Sequence, residues 1–282
     1  LNSLGNTDVE ILHRELSYRI VGSAMHVHRE IGPGLDEALY HMALHEHLLA
    51  AGLPSQYKPK RRLIHRGIVA DEFEADLIVD GSVALELKCL DRDFAPAHYT
   101  QLICYLKCWG LRLGMLFDFG KESLVRERVA YSPRPIALNA LSPESLRPAA
   151  AADRELLSRI LSSVRGIGEQ YGTGYRDTTY QGILRADLSA DAISIEERHV
   201  EICCDGRSLG IARPACFVVD GRCGVKILAL YDRLHAAHRA RLQTCLKHLG
   251  LPWGILVNYG KKSLDWQYVC PARSHVSDSR VP

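Results

Sequence analysis

The chain has 282 residues, of which 47% are hydrophobic and 24% charged, and its formal net charge is +2. That length fits one large domain or two ordinary ones, in the composition range of soluble globular proteins. It excludes an apolar run long enough to span a bilayer and a signal peptide, and it leaves any nucleic-acid contact to a local basic surface rather than bulk charge. The nine cysteines include no C-x-x-C pair. They argue against a disulfide framework or zinc ribbon and predict reduced thiols in a cytoplasmic protein with no membrane association.

In chain order, Thr7 or Asp8 is placed to cap a helix over Val9–Glu30. Ile31-Gly-Pro-Gly34 ends it, and a second helix covers Glu37–Ala51. Arg61–Arg66 reads as a strand, and the alternating runs Phe73–Val79 and Val83–Leu87 are stronger strand candidates. A helix over His98–Cys108 follows, then a short apolar strand at Leu113–Phe119, and Val125–Tyr131 closes the sheet. Helices around a small mixed sheet make an α/β (α+β) unit.

The same order recurs at an offset of 140 residues without a gap: Arg14-Glu15-Leu16 returns as Arg154-Glu155-Leu156, and Gly32, Gly34 and Tyr40 as Gly172, Gly174 and Tyr180. Val79-Asp80-Gly81 returns as Val219-Asp220-Gly221, and Leu106-Lys107 as Leu246-Lys247. A period this long means duplicated domains rather than a solenoid. The expected division is a first domain at 8–131, a Pro-, Ser- and Ala-rich linker at 132–152, a second copy at 153–271 and a tail at 272–282.

The hairpin around Asp80-Gly81 carries Asp76, Glu86 and Lys88 on otherwise apolar strands. Charges are rarely buried unless paired or holding a metal. If Ser82 joins a three-residue loop, Asp76 falls opposite Glu86; a two-residue loop shifts the register by one and leaves them near neighbours. Glu86 and Lys88, two apart, share one face of their strand. Two carboxylates beside a lysine suit Mg²⁺ or Mn²⁺ with water and phosphate oxygens, and a lysine there orients an attacking water or helps deprotonate it. The plain alternative is a solvated ion pair on an exposed strand, and the apolar flanks weigh against it.

These residues resemble the motif of the PD-(D/E)XK nuclease superfamily, with Ala75 in place of the proline. Upstream, Gly34-Leu-Asp-Glu37-Ala-Leu-Tyr40, preceded by Ala24-x-x-Val27-His28, resembles the G-x-x-E-x-x-Y signature of the GxxExxY protein family within it. The resemblance covers essentially the whole first copy. It implies a restriction-endonuclease-like core, duplicated in tandem with the second copy degenerate. It implies a Mg²⁺-dependent nuclease acting on nucleic acid, DNA in the first instance, with its site in the first domain only. Asp76 and Glu86 would be the metal ligands, Glu37 a further acidic ligand, direct or through water, and Lys88 the catalytic lysine. Gln101-Leu-Ile-Cys-Tyr105 resembles the Q-x-x-x-Y motif of RecB-like and lambda-exonuclease-like members, and residues four apart share a helical face. Tyr40 recurs in both copies, which favours a packing role for it.

The second copy departs from the pattern at the same places. Asp76 becomes Cys216, Glu86 becomes Lys226, Lys88 becomes Leu228, Gln101 becomes Arg241 and Tyr105 becomes Cys245, while Glu37 survives as Asp177. Lys226 and Arg241 cannot hold Mg²⁺ as carboxylates do, but on one pocket they would attract phosphate. Drift after loss of activity explains them equally well.

Other features carry less. His41, His45 and His47 lack a third ligand or an H-E-x-x-H pattern, so a zinc site is not expected. Lys58, Lys60, Arg61 and Arg62 form a basic run that tracks a nucleic-acid backbone or is simply a solvated loop. The second-half cysteines show no nucleophile context. The main rival to a nuclease is a non-catalytic nucleic-acid-binding or scaffold protein that keeps the fold; a hydrolase of another phosphate ester is a third possibility.

Overall fold

The computed structural model describes residues 12–133, 137–138, 150–230, 233–260 and 263–271. The chain divides into two compact units, Leu1–Leu63 with Glu72–Pro133, and Ile64–Asp71 with Arg134–Pro282. Most of the expected linker and the whole expected tail lie outside the described residues. Among the described residues, no helix is long and apolar enough to cross a membrane.

The first unit opens with α1 (Arg14–Ile31) and α2 (Glu37–Ala50), followed by β1 (Ser55–Tyr57), β2 (Lys60–His65), β3 (Ile68–Glu74), β4 (Leu77–Val79) and β5 (Val83–Lys88). Then come α3 (Pro96–Trp109), β6 (Leu113–Asp118) and β7 (Val125–Ala130). The expected cap at Thr7 or Asp8 falls outside the described residues; residues 12–13 form a turn, and the helix starts at Arg14. The sheet order is β1-β4-β5-β6-β7, with β5 and β6 parallel and the other neighbours antiparallel. A parallel pair needs a crossover, which α3 supplies.

Two details differ from the strand pattern expected from sequence. The predicted strand Phe73–Val79 is two strands, broken at Ala75-Asp76, because its partners change there. The Ala75 amide donates to the Pro59 carbonyl and the Lys58 amide to the Asp76 carbonyl, which passes the run from β2 to β1. The hairpin settles on the three-residue loop: Val79 faces Val83, and Asp80 and Gly81 have φ of 50° and 59°. The positive angles explain the Asp-Gly pair.

The core follows the period-2 alternation of β5. Val83, Leu85 and Leu87 face Ile20, Ala24 and Val27 of α1 and Tyr40, Leu44 and Leu48 of α2, all buried. The alternate residues Ala84, Glu86 and Lys88 therefore lie on the face that α3 covers. There Gly114 of β6 has no room for a side chain, since a Cβ would stand 2.7 Å from Leu102 of α3.

The second unit repeats the plan with β8 (Ala137–Leu138), α4 (Ala151–Tyr171), α5 (Asp177–Ala190), β9 (Ile195–Glu196), β10 (Val200–Cys204) and β11 (Arg207–Ala212). It continues with β12 (Phe217–Val219), β13 (Cys223–Leu228), α6 (Ala236–Leu249), β14 (Trp253–Tyr259) and β15 (Ser263–Val269). The sheet order is β8-β15-β14-β13-β12-β9, with a central parallel pair, β13 and β14, joined through α6, and a further parallel pair, β8 and β15, at the edge. Strands β2 with β3, and β10 with β11, form separate hairpins. The tip of the first of these, Ile64–Asp71, groups with the second unit. There His65 Nε2 lies 3.0 Å from Asp187, Arg66 pairs with Asp187 and Asp191, and Asp71 pairs with Arg176. Gly182 of α5 is needed for this packing, because a Cβ there would fall 1.9 Å from the Ala70 carbonyl oxygen. The fold is thus a mixed α/β sheet unit flanked by helices, present twice.

Candidate active site

The site is built where β4, β5 and the start of α2 meet. Extending the pairing of Leu77 with Leu85 by one step sets Asp76 opposite Glu86. Asp76 is held there by the Leu87 backbone amide, which donates to its Oδ2 at 2.8 Å. Glu86 is fully buried, and Nζ of Lys88 stands 2.6 Å from its Oε1. That ammonium is the polar partner of Oε1, while the buried Oε2 of Glu86 has no hydrogen-bond partner among the described residues. Lys88 also reaches Oε1 of Glu37, at the first turn of α2, at 3.4 Å.

Electrostatics follow from this burial. Burial, then the neighbouring Asp76, pushes the Glu86 carboxyl from 4.5 up to about 8. Burial also raises Asp76, against the pull of His41 and the Leu87 amide. For Lys88 burial works against the ammonium, but Glu86, Asp76 and Glu37 outweigh it and hold its pKa above the ordinary value. Lys88 is therefore a fixed positive charge near neutral pH rather than a ready base.

His41 is a site residue that sequence reasoning set aside. Buried on α2 one turn after Glu37, its Nε2 lies 3.4 Å from Asp76 Oδ2 and 3.6 Å from Glu37 Oε1. The i, i+4 spacing from Glu37 was the available signal. His45 and His47 turn elsewhere: His45 Nδ1 lies 2.8 Å from the Ser55 hydroxyl, and His47 stacks on His26.

Gln101 and Tyr105 bond to each other on α3, the amide donating to the phenol oxygen at 2.7 Å. The basic run is largely neutralised. Lys58 and Lys60 pair with Glu74 at 3.7 and 3.1 Å and Arg62 with Glu72 at 2.7 Å, while Arg61 has no acidic partner among the described residues. Tyr40 serves the fold: its hydroxyl donates to the Gly32 carbonyl at 2.6 Å and accepts the Leu35 amide at 3.2 Å.

The donor set suits a hard divalent cation. The buried Oε2 of Glu86 without a partner is costly, and a cation shared with Asp76 would satisfy it. Among the described residues, no three His, Cys, Asp or Glu side chains form a ready metal cluster. A cation on Asp76 and Glu86 would thus complete its shell with water or phosphate oxygens, as Mg²⁺ commonly does.

The second unit has a cavity of about 340 Å³ at the equivalent place, lined by Cys216, Lys226, Asp177, Gln181 and Arg213 among others. Lys226 is on its lining. Arg241 is exposed on α6, and the second cation of the cavity is Arg213, which pairs with Glu197. Lys226 and Arg241 therefore do not share this cavity, and the condition under which the two would attract phosphate together is not met.

Two copies of a mixed sheet, one of them carrying an acid pair and a lysine on adjacent strands, define a nuclease-like fold. The family model described as the PD-(D/E)XK nuclease superfamily matches residues 14–129 and again residues 154–269, and the chain belongs to that superfamily. Among solved structures, one described as "Crystal structure of SSO0001" is 17% identical, with a TM-score of 0.29, over 34% of this chain and 50% of that one. The chain thus spans about half the length of that protein. No curated protein matches it.

Proposed function

We propose that the first unit is a Mg²⁺- or Mn²⁺-dependent nuclease of the GxxExxY kind, hydrolysing phosphodiester bonds of nucleic acid, DNA in the first instance. The observation that carries this is Glu86: a fully buried carboxylate whose Oε2 has no hydrogen-bond partner among the described residues, beside Asp76 and Lys88. Asp76 and Glu86 would hold the cation. When bound, it would lower the pKa of a coordinated water and offset charge developing on the phosphate. Lys88 supplies a fixed ammonium for the attacked phosphate, held in direction by Glu37 and Glu86. His41 positions Asp76 and Glu37. The bonded amide and phenol of Gln101 and Tyr105 would contact a phosphate oxygen. The second unit contributes no catalysis, since its counterparts lack both carboxylates and the lysine.

The test is incubation of the purified chain with single- and double-stranded DNA and RNA, with Mg²⁺, Mn²⁺ or EDTA. Metal-dependent cleavage should fall roughly a hundredfold or more in Glu86→Ala and Lys88→Ala. Cleavage that survives both substitutions sinks the site. Binding without cleavage under every condition supports the scaffold reading instead.

A further inference from the structure

The second unit has thiols where the first has its acid and its phenol. Cys216 precedes β12 as Asp76 precedes β4, and Cys245 lies on α6 where Tyr105 lies on α3. Both belong to one packed cluster beneath α6, with Cys216 buried and Cys245 half-buried. The Cys216 thiol donates a hydrogen bond to the Cys245 sulfur, and the Ala215 backbone amide donates to it as well. Lys226, opposite Cys216 in the strand register, makes no hydrogen bond or ion pair among the described residues and faces both sulfurs. Two donors and an ammonium around one sulfur stabilise a thiolate. The Cys216 hydrogen bond above all, then the Ala215 amide and Lys226, outweigh burial and bring the Cys245 thiol down to about 6, while Cys216 is pushed up. Cys216 also lines the 340 Å³ cavity beside Lys226, whose ammonium suits a carboxylate-bearing reagent; Arg213 there is paired with Glu197, and Asp177 is on the lining too.

We propose that Cys245 and Cys216 are a redox-active pair, in which Cys245 attacks a low-molecular-weight disulfide and Cys216 resolves the product into an intramolecular disulfide. In the first step the Cys245 thiolate bonds to one sulfur of the small disulfide, whose S–S bond breaks, and one small thiolate leaves. In the second, Cys216 releases its proton to solvent and attacks the Cys245 sulfur, and the second small thiolate leaves. Two protein thiols are oxidised and one small disulfide is reduced to two thiols. Sequence spacing hid the pair, since C-x-x-C places thiols by proximity in the chain, whereas these meet through the sheet and α6.

The reduced full chain, incubated with oxidised glutathione, quenched in acid and digested, should yield a Cys216–Cys245 linked peptide that dithiothreitol removes. Cys216→Ser should stop at a glutathione adduct on Cys245, and Cys245→Ser should give neither. A second measurement needs no variant: at pH 6, iodoacetamide should alkylate Cys245 roughly tenfold faster than exposed Cys203, because a larger thiolate fraction outweighs the lower nucleophilicity of a less basic thiol. Adducts confined to Cys203, Cys204 or Cys270 without the link, or alkylation of Cys245 no faster than Cys203, would overturn the proposal.

Discussion

The ammonium of Lys88 and the carboxylate of Glu86 meet at 2.6 Å inside the first unit, with no water-facing surface left on Glu86. The folded carboxyl titrates at about 8 against an ordinary 4.5, so folding takes up a proton between those values. The stability contributed by this group is fully present below about pH 4.5 and is lost as pH rises towards 8. In EDTA, the stability of the wild type relative to Glu86→Gln should therefore fall from pH 5 to pH 8. The variant should gain roughly 1–3 kcal/mol on the wild type between the two. Mn²⁺ should raise the wild-type Tm near pH 8 and hardly at pH 5, where protons compete for the ligand. A stability difference that stays flat with pH in EDTA contradicts the assignment.

Lys107 of α3 gives a second pH effect of opposite sense. Burial brings its ammonium down to about 8, although it lies over the Tyr131 ring at 5.7 Å. A depressed base means that the unfolded chain holds the proton longer, so stability rises with pH between about 8 and 10.5. Lys107→Met should stabilise the protein by about 1–2 kcal/mol at pH 7, with the gain fading above pH 9. Urea midpoints at the two pH values measure it.

Tyr40→Phe should cost about 1–2 kcal/mol, because the Gly32 carbonyl loses the donor that satisfies it at 2.6 Å. Mn²⁺ affinity should stay within about threefold of wild type once folding is complete. A variant that is fully stable but has lost the metal would reassign Tyr40 from the fold to the site.

His41→Gln puts into the first unit the residue that the second carries at Gln181. The fold accepts glutamine there, so the melting temperature should move little. Mn²⁺ affinity should weaken roughly 10- to 100-fold as Asp76 and Glu37 lose their shared neighbour. Unchanged affinity, by titration calorimetry or electron paramagnetic resonance, removes His41 from the site.

Much of this was legible in the chain itself. The apolar alternation of Val83–Leu87 located the central strand, Asp80-Gly81 located the hairpin, and the 140-residue offset located the duplication. The register of Asp76 against Glu86 came down to loop length, which the pairing of Val79 with Val83 settles. The break at Ala75-Asp76 was hidden because alternation continues across it while the hydrogen-bond partners change. His41 was hidden because its role depends on a carboxylate from another strand. The thiol pair was hidden for the same reason, and so was the grouping of Ile64–Asp71 with α4 and α5. Local periodicity reports which face is buried; it does not report what a distant segment brings to that face.

The hydroxyl clamp of Tyr40 on Gly32 has an exact counterpart in kind, Tyr180 on Gly172, also at 2.6 Å. The seven-residue signature thus separates into a frame and a cargo. Gly34, with φ of 94°, and Tyr40, clamped to Gly32 just before the signature, fix how the second helix leaves its turn, and the acid between them is carried along, useful only where a lysine waits for it. A survey of sister chains scored on glycine and tyrosine alone would count the second unit as intact. Scored on whether Glu37 has Lys88 to meet, it would sort chains by chemistry rather than by shape.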